Sequence, residues 1–161
     1  MSRLDTTQRL LPSLLDRLID PESGGTAWQQ GYSVLQMIEA VRRDLEELLN
    51  TRQTSVGIGA RYRETIDSIV AYGLPDLVSI DASATGTKEK IGGMIESTIR
   101  RFEPRLKEVR ARLVESRAGE IDRSLKFEIS ARLAVDPSPE VGFETVLELM
   151  TGHASIKQQK A

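Results

Sequence analysis

The chain has 161 residues, 39% of them hydrophobic and 29% charged, with 24 acidic side chains against 22 basic ones and a formal net charge of −2. This describes one folded domain of ordinary composition, and the near-balance of charge removes the bulk electrostatic case for nucleic-acid binding. A single His and the absence of Cys exclude thiol nucleophiles, disulfides and zinc sites built from thiolates or several imidazoles.

No run approaches the ~18–20 consecutive apolar residues of a membrane span. The start, Met1-Ser2-Arg3-Leu4-Asp5, lacks the apolar core of a signal peptide. The expectation is a cytoplasmic protein with no direct membrane insertion.

Residues 8–20 put Leu11, Leu14, Leu15, Leu18 and Ile19 at three- and four-residue spacing, the apolar face of a short helix. Pro21 ends it, and residues 21–31, with three Gly and the only Trp, read as a loop. The expected division is an N-terminal helical arm and linker at 1–27, then a main domain at 28–161. Leu14, Leu15 and Leu18 on such an arm must bury either on the parent domain or on a partner.

The next helix is predicted to start at Ser33 as N-cap and to run to Asn50, with Val34, Leu35, Ile38, Val41, Leu45, Leu48 and Leu49 at helical spacing. Glu39, Arg42, Arg43, Asp44, Glu46 and Glu47 on its other face read as ordinary solvated charge. Residues 51–59 are a loop whose glycines lack the GKS/T ending and preceding strand of a phosphate-binding loop. A third helix is predicted over 62–71, with Ile66, Ile69 and Val70 apolar and Gly73 and Pro75 closing it. Leu77 and Ile80 are expected to anchor the following turn. The fourth helix spans 88–102, with Ile91, Met94, Ile95, Ile99 and Phe102 on one face. Gly92 and Gly93 weaken it by roughly 1 kcal/mol each relative to Ala, so close packing against another backbone is the predicted reason for them. Pro104 stops the helix near Glu103.

Beyond Pro104 the apolar period changes from about 3.6 to 2. Val109, Ala111 and Leu113 alternate with Arg110 and Arg112; Leu125, Phe127, Ile129, Ala131 and Leu133 form a second run; Phe143, Thr145, Leu147 and Leu149 form a third. Turn signals at 117–120, 136–139 and 151–153 separate them, and 154–157 is read as a short last strand. The fold class is α+β: N-terminal helices followed by a small antiparallel β-sheet with one wet face.

Little in the sequence supports catalysis. His153 lies in a predicted turn beside Gly152, and a glycosidase's carboxyl pair would need a cleft with aromatic platforms, whereas the chain has Trp 1, Tyr 3 and Phe 3 spread over separate segments. No catalytic, cofactor-binding or metal-binding residue is assigned. The basic residues are mostly Arg, 16 against 6 Lys, the residue suited to bidentate pairing with carboxylates at interfaces. Residues 100–132 hold ten basic and six acidic side chains, while residues 1–50 hold five and eight, a charge asymmetry that orients a part within an assembly. Glu103-Pro104-Arg105-Leu106 stands where the long helix must end and the first strand begin. Neither Glu103 nor Arg105 can be buried unpaired without a cost of several kcal/mol, so each needs a complementary group or water.

Three segments in this order, Arg43-Asp44-Leu45-Glu46-Glu47-Leu48-Leu49-Asn50-Thr51-Arg52, Tyr72-Gly73-Leu74-Pro75-Asp76-Leu77 and Phe102-Glu103-Pro104-Arg105-Leu106, preceded by the Leu14-Leu15-Asp16-Arg17-Leu18 helix, resemble TssE. That family comprises the baseplate subunit of the bacterial type VI secretion system and is related to the wedge protein of contractile-tail phages, sometimes labelled lysozyme-like. The resemblance covers about residues 10–157. It implies a baseplate wedge protein-like fold and a structural role with the baseplate subunits TssF, TssG and TssK, in a baseplate docked at the inner-membrane complex. It also implies a platform of strand edges from which the TssB/TssC contractile sheath polymerises, no cofactor, and partner contacts at Glu103, Pro104, Arg105 and Leu106. The alternative contained in the legacy label is a peptidoglycan-cleaving lysozyme-like hydrolase with Glu103 as proton donor. Arg105 argues against it, because an adjacent guanidinium favours the ionised form of a carboxyl group.

Overall fold

The structure is a computed structural model that describes residues 10–19, 31–53, 58–59, 61–77, 86–114, 124–136, 138–148 and 150–159, without the side chains of Leu14 and Ile19. The expected linker with its boundary at 27/28, Ile80, Leu149 and the predicted turn at 117–120 lie outside those residues.

The first helix, α1 (Leu14–Ile19), has six residues, fewer than the apolar spacing suggests. Pro12 is the reason, since the residue before a proline is driven out of helical angles. The chain instead enters extended: Tyr32 N–H donates to the Leu10 carbonyl at 2.6 Å, and Leu10 is buried in the core. Ser13 then caps α1, accepting from the Asp16 N–H at 3.1 Å while Asp16 Oδ2 accepts from the Ser13 N–H at 3.3 Å.

A second capping box, between Ser33 and Gln36, opens α2 (Val34–Asn50) as expected. Its buried stripe is Met37, Ile38, Ala40, Val41, Leu45, Leu48 and Leu49. Leu35, which the spacing assigns to that stripe, is 74% exposed.

The predicted helix over 62–71 is two pieces: α3 (Arg63–Ile66) and a 3-10 turn, Ile69–Ala71. Ser68 divides them. Its hydroxyl donates to the Thr65 carbonyl and accepts from the Val70 N–H, the kind of local bond by which serine competes with helix propagation. Ile69 and Val70 consequently point outward. Leu77 is buried, as the turn reading expected, and so is Leu74.

The last helix, α4 (Thr87–Phe102), begins one residue before the expected position and ends where Pro104 demands. A methyl group on Gly92 would sit 3.4 Å from the Phe127 ring and 3.5 Å from the Ala111 carbonyl oxygen. The close-packing account therefore holds for Gly92. It does not hold for Gly93, beside which there is open space.

Four strands follow: β1 (Leu106–Val114), β2 (Ser124–Leu133), β3 (Glu140–Glu148) and β4 (Ala154–Gln158). They form one antiparallel sheet in the order β1-β2-β3-β4. Phe127, Ile129, Phe143, Leu147 and Ile156 from its inner face join α2 and α4 in one hydrophobic core. The other face is mostly charged and polar, with Gly142 and Val146 as exceptions on β3, and is the predicted wet face. The register slips between Lys107 and Arg110, and Glu108 takes a φ of +53°. This β-bulge lets Val109 stay fully buried while the strand bends. α4 lies along β1 and α2 along β4.

Two glycines with opposite surroundings test this backbone reading by urea denaturation. Gly93→Ala should stabilise the fold by roughly 0.5–1 kcal/mol, from helix propensity alone. Gly73→Ala should destabilise it by about 1–3 kcal/mol, because Gly73 has a φ of +102° and its added carbon would drive into the Thr51 carbonyl. Equal shifts of the two midpoints would refute the account.

Candidate functional site

The corner between α4 and β1 is built from four adjacent residues. The Glu103 N–H closes the last helical turn on the Ile99 carbonyl at 2.8 Å, and the Leu106 N–H returns to the Glu103 carbonyl at 3.1 Å. Pro104 thus occupies the second position of a β-turn, where its fixed φ is favourable. The Arg105 carbonyl accepts from the Ala134 N–H at 2.7 Å, which ties the turn to the end of β2. Leu106 is buried beneath it, and Pro104 is exposed.

Glu103 is only 4% exposed, and Arg105 occupies both its carboxylate oxygens. Oε1 accepts from the Arg105 N–H at 3.2 Å and from Nε at 2.6 Å, while Oε2 pairs with Nη2. The same Nη2 reaches across to Asp44 Oδ2 on α2 at 2.6 Å. Asp44 Oδ1 accepts from Arg43, and Arg43 Nη2 pairs at 2.5 Å with Asp16 on α1. The Ser13 hydroxyl donates to Asp16 Oδ2 at 2.9 Å. Alternating charges Glu103, Arg105, Asp44, Arg43 and Asp16 therefore join the corner, the central helix and the N-terminal helix.

Burial lowers the pKa of Arg105, but Glu103 and then Asp44 outweigh it and raise the value; for Arg43, Asp44 and Asp16 outweigh burial in the same way. Burial pushes the Asp16 carboxyl up, yet Arg43 and Ser13 together hold it below the usual carboxylate value. Arg105 Nη1 is buried with no hydrogen-bond partner among the described residues. Beside the corner, Tyr72 packs edge-on against Phe102 with ring centroids 5.2 Å apart.

The other two sequence segments meet in a second cluster. The Leu74 N–H donates to the Thr51 carbonyl at 2.9 Å, the Gln53 N–H donates to the Leu74 carbonyl at 2.8 Å, and Arg52 pairs with Asp76 at 2.8 Å. Arg52 Nη2 also donates to the Thr151 carbonyl in the turn before β4. Asn50 holds Ala154 by both its amide nitrogen and its amide oxygen, each at 2.8 Å. Gly73 fits because only a residue without Cβ can lie against Thr51 in that conformation.

The expected contact residues thus fall into two places. Glu103 and Leu106 are interior, Arg105 is partly exposed, and Pro104 is at the surface. On α1, Leu15 is 43% exposed and Leu18 is 75% exposed, while the Leu14 side chain lies outside the described residues. Asp16, Arg43 and Asp44 were missed as partners of the corner. Asp16 shares its short helix with four apolar residues and Arg17, and its 6% exposure is the signal that a charge there needs a cation. A carboxyl with both oxygens engaged by Arg105, as Glu103 has, offers no face to a sugar. His153 is exposed in its turn. Among the described residues no helix is long and apolar enough to cross a membrane.

The family profile of the baseplate wedge protein gp25 matches residues 35–138, well over half of the chain. The chain belongs to that family. Its role is accordingly that of a structural baseplate component, and the resemblance read from the sequence holds at this level. The matched region contains α2, the Gly73 turn, α4, the corner and the first two strands. The fold is also similar to a chain of a solved structure, "The baseplate complex from the type VI secretion system", at 19% identity over 79% of this chain and 97% of that one, with a TM-score of 0.48. No curated protein matches the wedge chain.

Two substitutions test the charge relay. Arg105→Met leaves Glu103 buried without its cation and should cost about 3 kcal/mol of unfolding free energy, with Arg105→Lys recovering only part because Lys lacks the two-pronged geometry. An Arg105→Met protein with wild-type stability would refute the network. Asp16, whose carboxyl is lowered on folding, contributes stability above the unfolded carboxyl value of about 3.9 and loses it as the pH falls through the lower folded value. The stability gap between wild type and Asp16→Asn should therefore be constant at neutral pH and shrink below about pH 4. A gap that widened with acid would reverse the assignment.

Proposed function

We propose that this wedge protein serves a type VI secretion baseplate, joining TssF, TssG and TssK in the cytoplasm at the inner-membrane complex and providing the platform from which the TssB/TssC sheath starts to polymerise. Membership of the gp25 wedge family carries this reading. The division of labour follows from burial. Pro104 and the exposed part of Arg105 present the corner to a neighbour, while Glu103 and Leu106 hold its shape. The exposed leucines Leu15 and Leu18 on α1, with Leu11 just ahead of it, all between 43% and 75% exposed, supply the second contact. A helix anchored by Asp16 on one side and showing leucines on the other is suited to bind in a groove of a partner. The protein acts by contact and not by catalysis.

Substitutions at Glu103 or Arg105 test folding before they test assembly, so these leucines are the better probe. Leu15→Asp combined with Leu18→Asp should leave the melting temperature nearly unchanged, since exposed positions typically shift stability by about 0.5 kcal/mol or less. The same protein should lose co-purification with the three baseplate subunits by more than about tenfold, equivalent to roughly 1.4 kcal/mol. Full co-purification by a folded double variant would overturn α1 as a contact surface.

A further inference from the structure

Each edge of the sheet ends against a helix, and the same device closes both. In β4, the His153 carbonyl and the Gln159 N–H pair with β3, so Ala154 and Ile156 direct their backbone groups outward. The Ile156 N–H donates to Glu46 Oε1 at 3.3 Å, and its carbonyl accepts from Arg42 Nη1 at 3.3 Å. In β1, the Ala111 N–H donates to Glu96 Oε2 at 3.2 Å, and the Val109 carbonyl accepts from Arg100 Nη2 at 2.9 Å. Arg42 with Glu46 and Glu96 with Arg100 are both ion pairs one helical turn apart, at 2.9 and 2.5 Å. In each case the carboxylate takes the strand's N–H and the guanidinium takes its carbonyl. Together the two side chains offer the edge what a neighbouring strand would offer. An edge strand left open is a template for pairing with another chain.

We propose that these two Arg/Glu pairs are surrogate strands that keep the sheet closed in the isolated subunit, and that the pair on α4 yields when an extended segment of the sheath adds to β1. The proposal rests on the sheath-platform reading. β1 is the weaker side. Among the described residues, the β4 edge is held by four hydrogen bonds, counting the two from Asn50, against two on β1. Arg100 is also 49% exposed, whereas Arg42 is 22% exposed. Beside this edge, exposed Arg110 and Arg112 favour an incoming strand that carries acidic residues.

The closure is tested on the free protein with two double variants. Glu96→Ala/Arg100→Ala removes the surrogate. Glu96→Arg/Arg100→Glu keeps a helical ion pair but sets a donor against the Ala111 N–H and an acceptor against the Val109 carbonyl. Wild type should be monomeric by light scattering. Both variants, folded by circular dichroism, should self-associate with concentration and exchange the Ala111 amide hydrogen at least about tenfold faster. A folded variant that stays monomeric with unchanged exchange, or a reversed pair that behaves like wild type, would overturn the surrogate role. The site of addition is tested in assembled baseplates with a photo-cross-linker on Val114→Cys or Gln158→Cys, in a chain with no cysteine of its own. Cross-linking to sheath from Val114→Cys supports β1. From Gln158→Cys alone it overturns β1 but keeps the platform, and from neither it overturns the platform reading itself.

Discussion

The fold depends on one guanidinium. Arg105 neutralises a carboxylate that the end of α4 forces into the interior, and with the same nitrogen it grips Asp44 in the middle of α2. Without that cation Glu103 would be a buried charge in a medium that solvates it poorly, at a cost of several kcal/mol. With it, the turn between the last helix and the first strand is locked to the central helix, and β1 is delivered to the sheet at a defined angle. Arg43 and Asp16 extend the same alternation to α1, so the N-terminal helix is held in place by the network that holds the corner.

That arrangement gives a wedge protein two unlike surfaces tied to one support. The corner contributes Pro104 and part of Arg105, and the short helix contributes its exposed leucines. Each rests on charges that are already paired within the chain. Under the proposed reading, a neighbour would meet a preformed surface and would not have to order it on binding, which saves the entropy that immobilising loops and side chains would otherwise cost. The charge asymmetry of the sequence takes on a more definite meaning here. Part of the acidic excess in the first fifty residues, Asp16 and Asp44, is spent on internal cations.

The two packed helices do more than cover the sheet. Their apolar stripes fill the core, while the polar residues at the margin of each stripe reach over to the backbone of the nearest edge strand. In a β-sheet this small, both edges are within reach of a helix, and closing them guards against uncontrolled pairing. A baseplate protein whose sheet were permanently open would risk assembling with itself.

Local spacing in the sequence was enough to determine the type of nearly every long element. A period near 3.6 gave α2 and α4, a period of 2 gave the first three strands, the turn before residue 154 left room for the fourth, and Ser33 and Pro104 marked two boundaries to within a residue, because caps and proline geometry act over one turn of chain. The motif Glu103-Pro104-Arg105 was legible as a corner needing charge compensation, since a buried carboxylate requires a cation whatever surrounds it. Which groups answered that need was decided only by the tertiary structure. Asp44 lies 61 positions from Arg105, and Asp16 lies 27 from Arg43, and no local pattern specifies a pairing over such distances. Likewise, Arg42 and Glu46 read as solvated charge until β4, more than a hundred residues later, was laid beside them. The outward turn of Leu35 has the same origin, whereas the break at Ser68, which turns Ile69 and Val70 outward, is a local effect of the serine hydroxyl. Apolar spacing states which face of a helix could be buried, but only the placement of the neighbouring elements determines which face is.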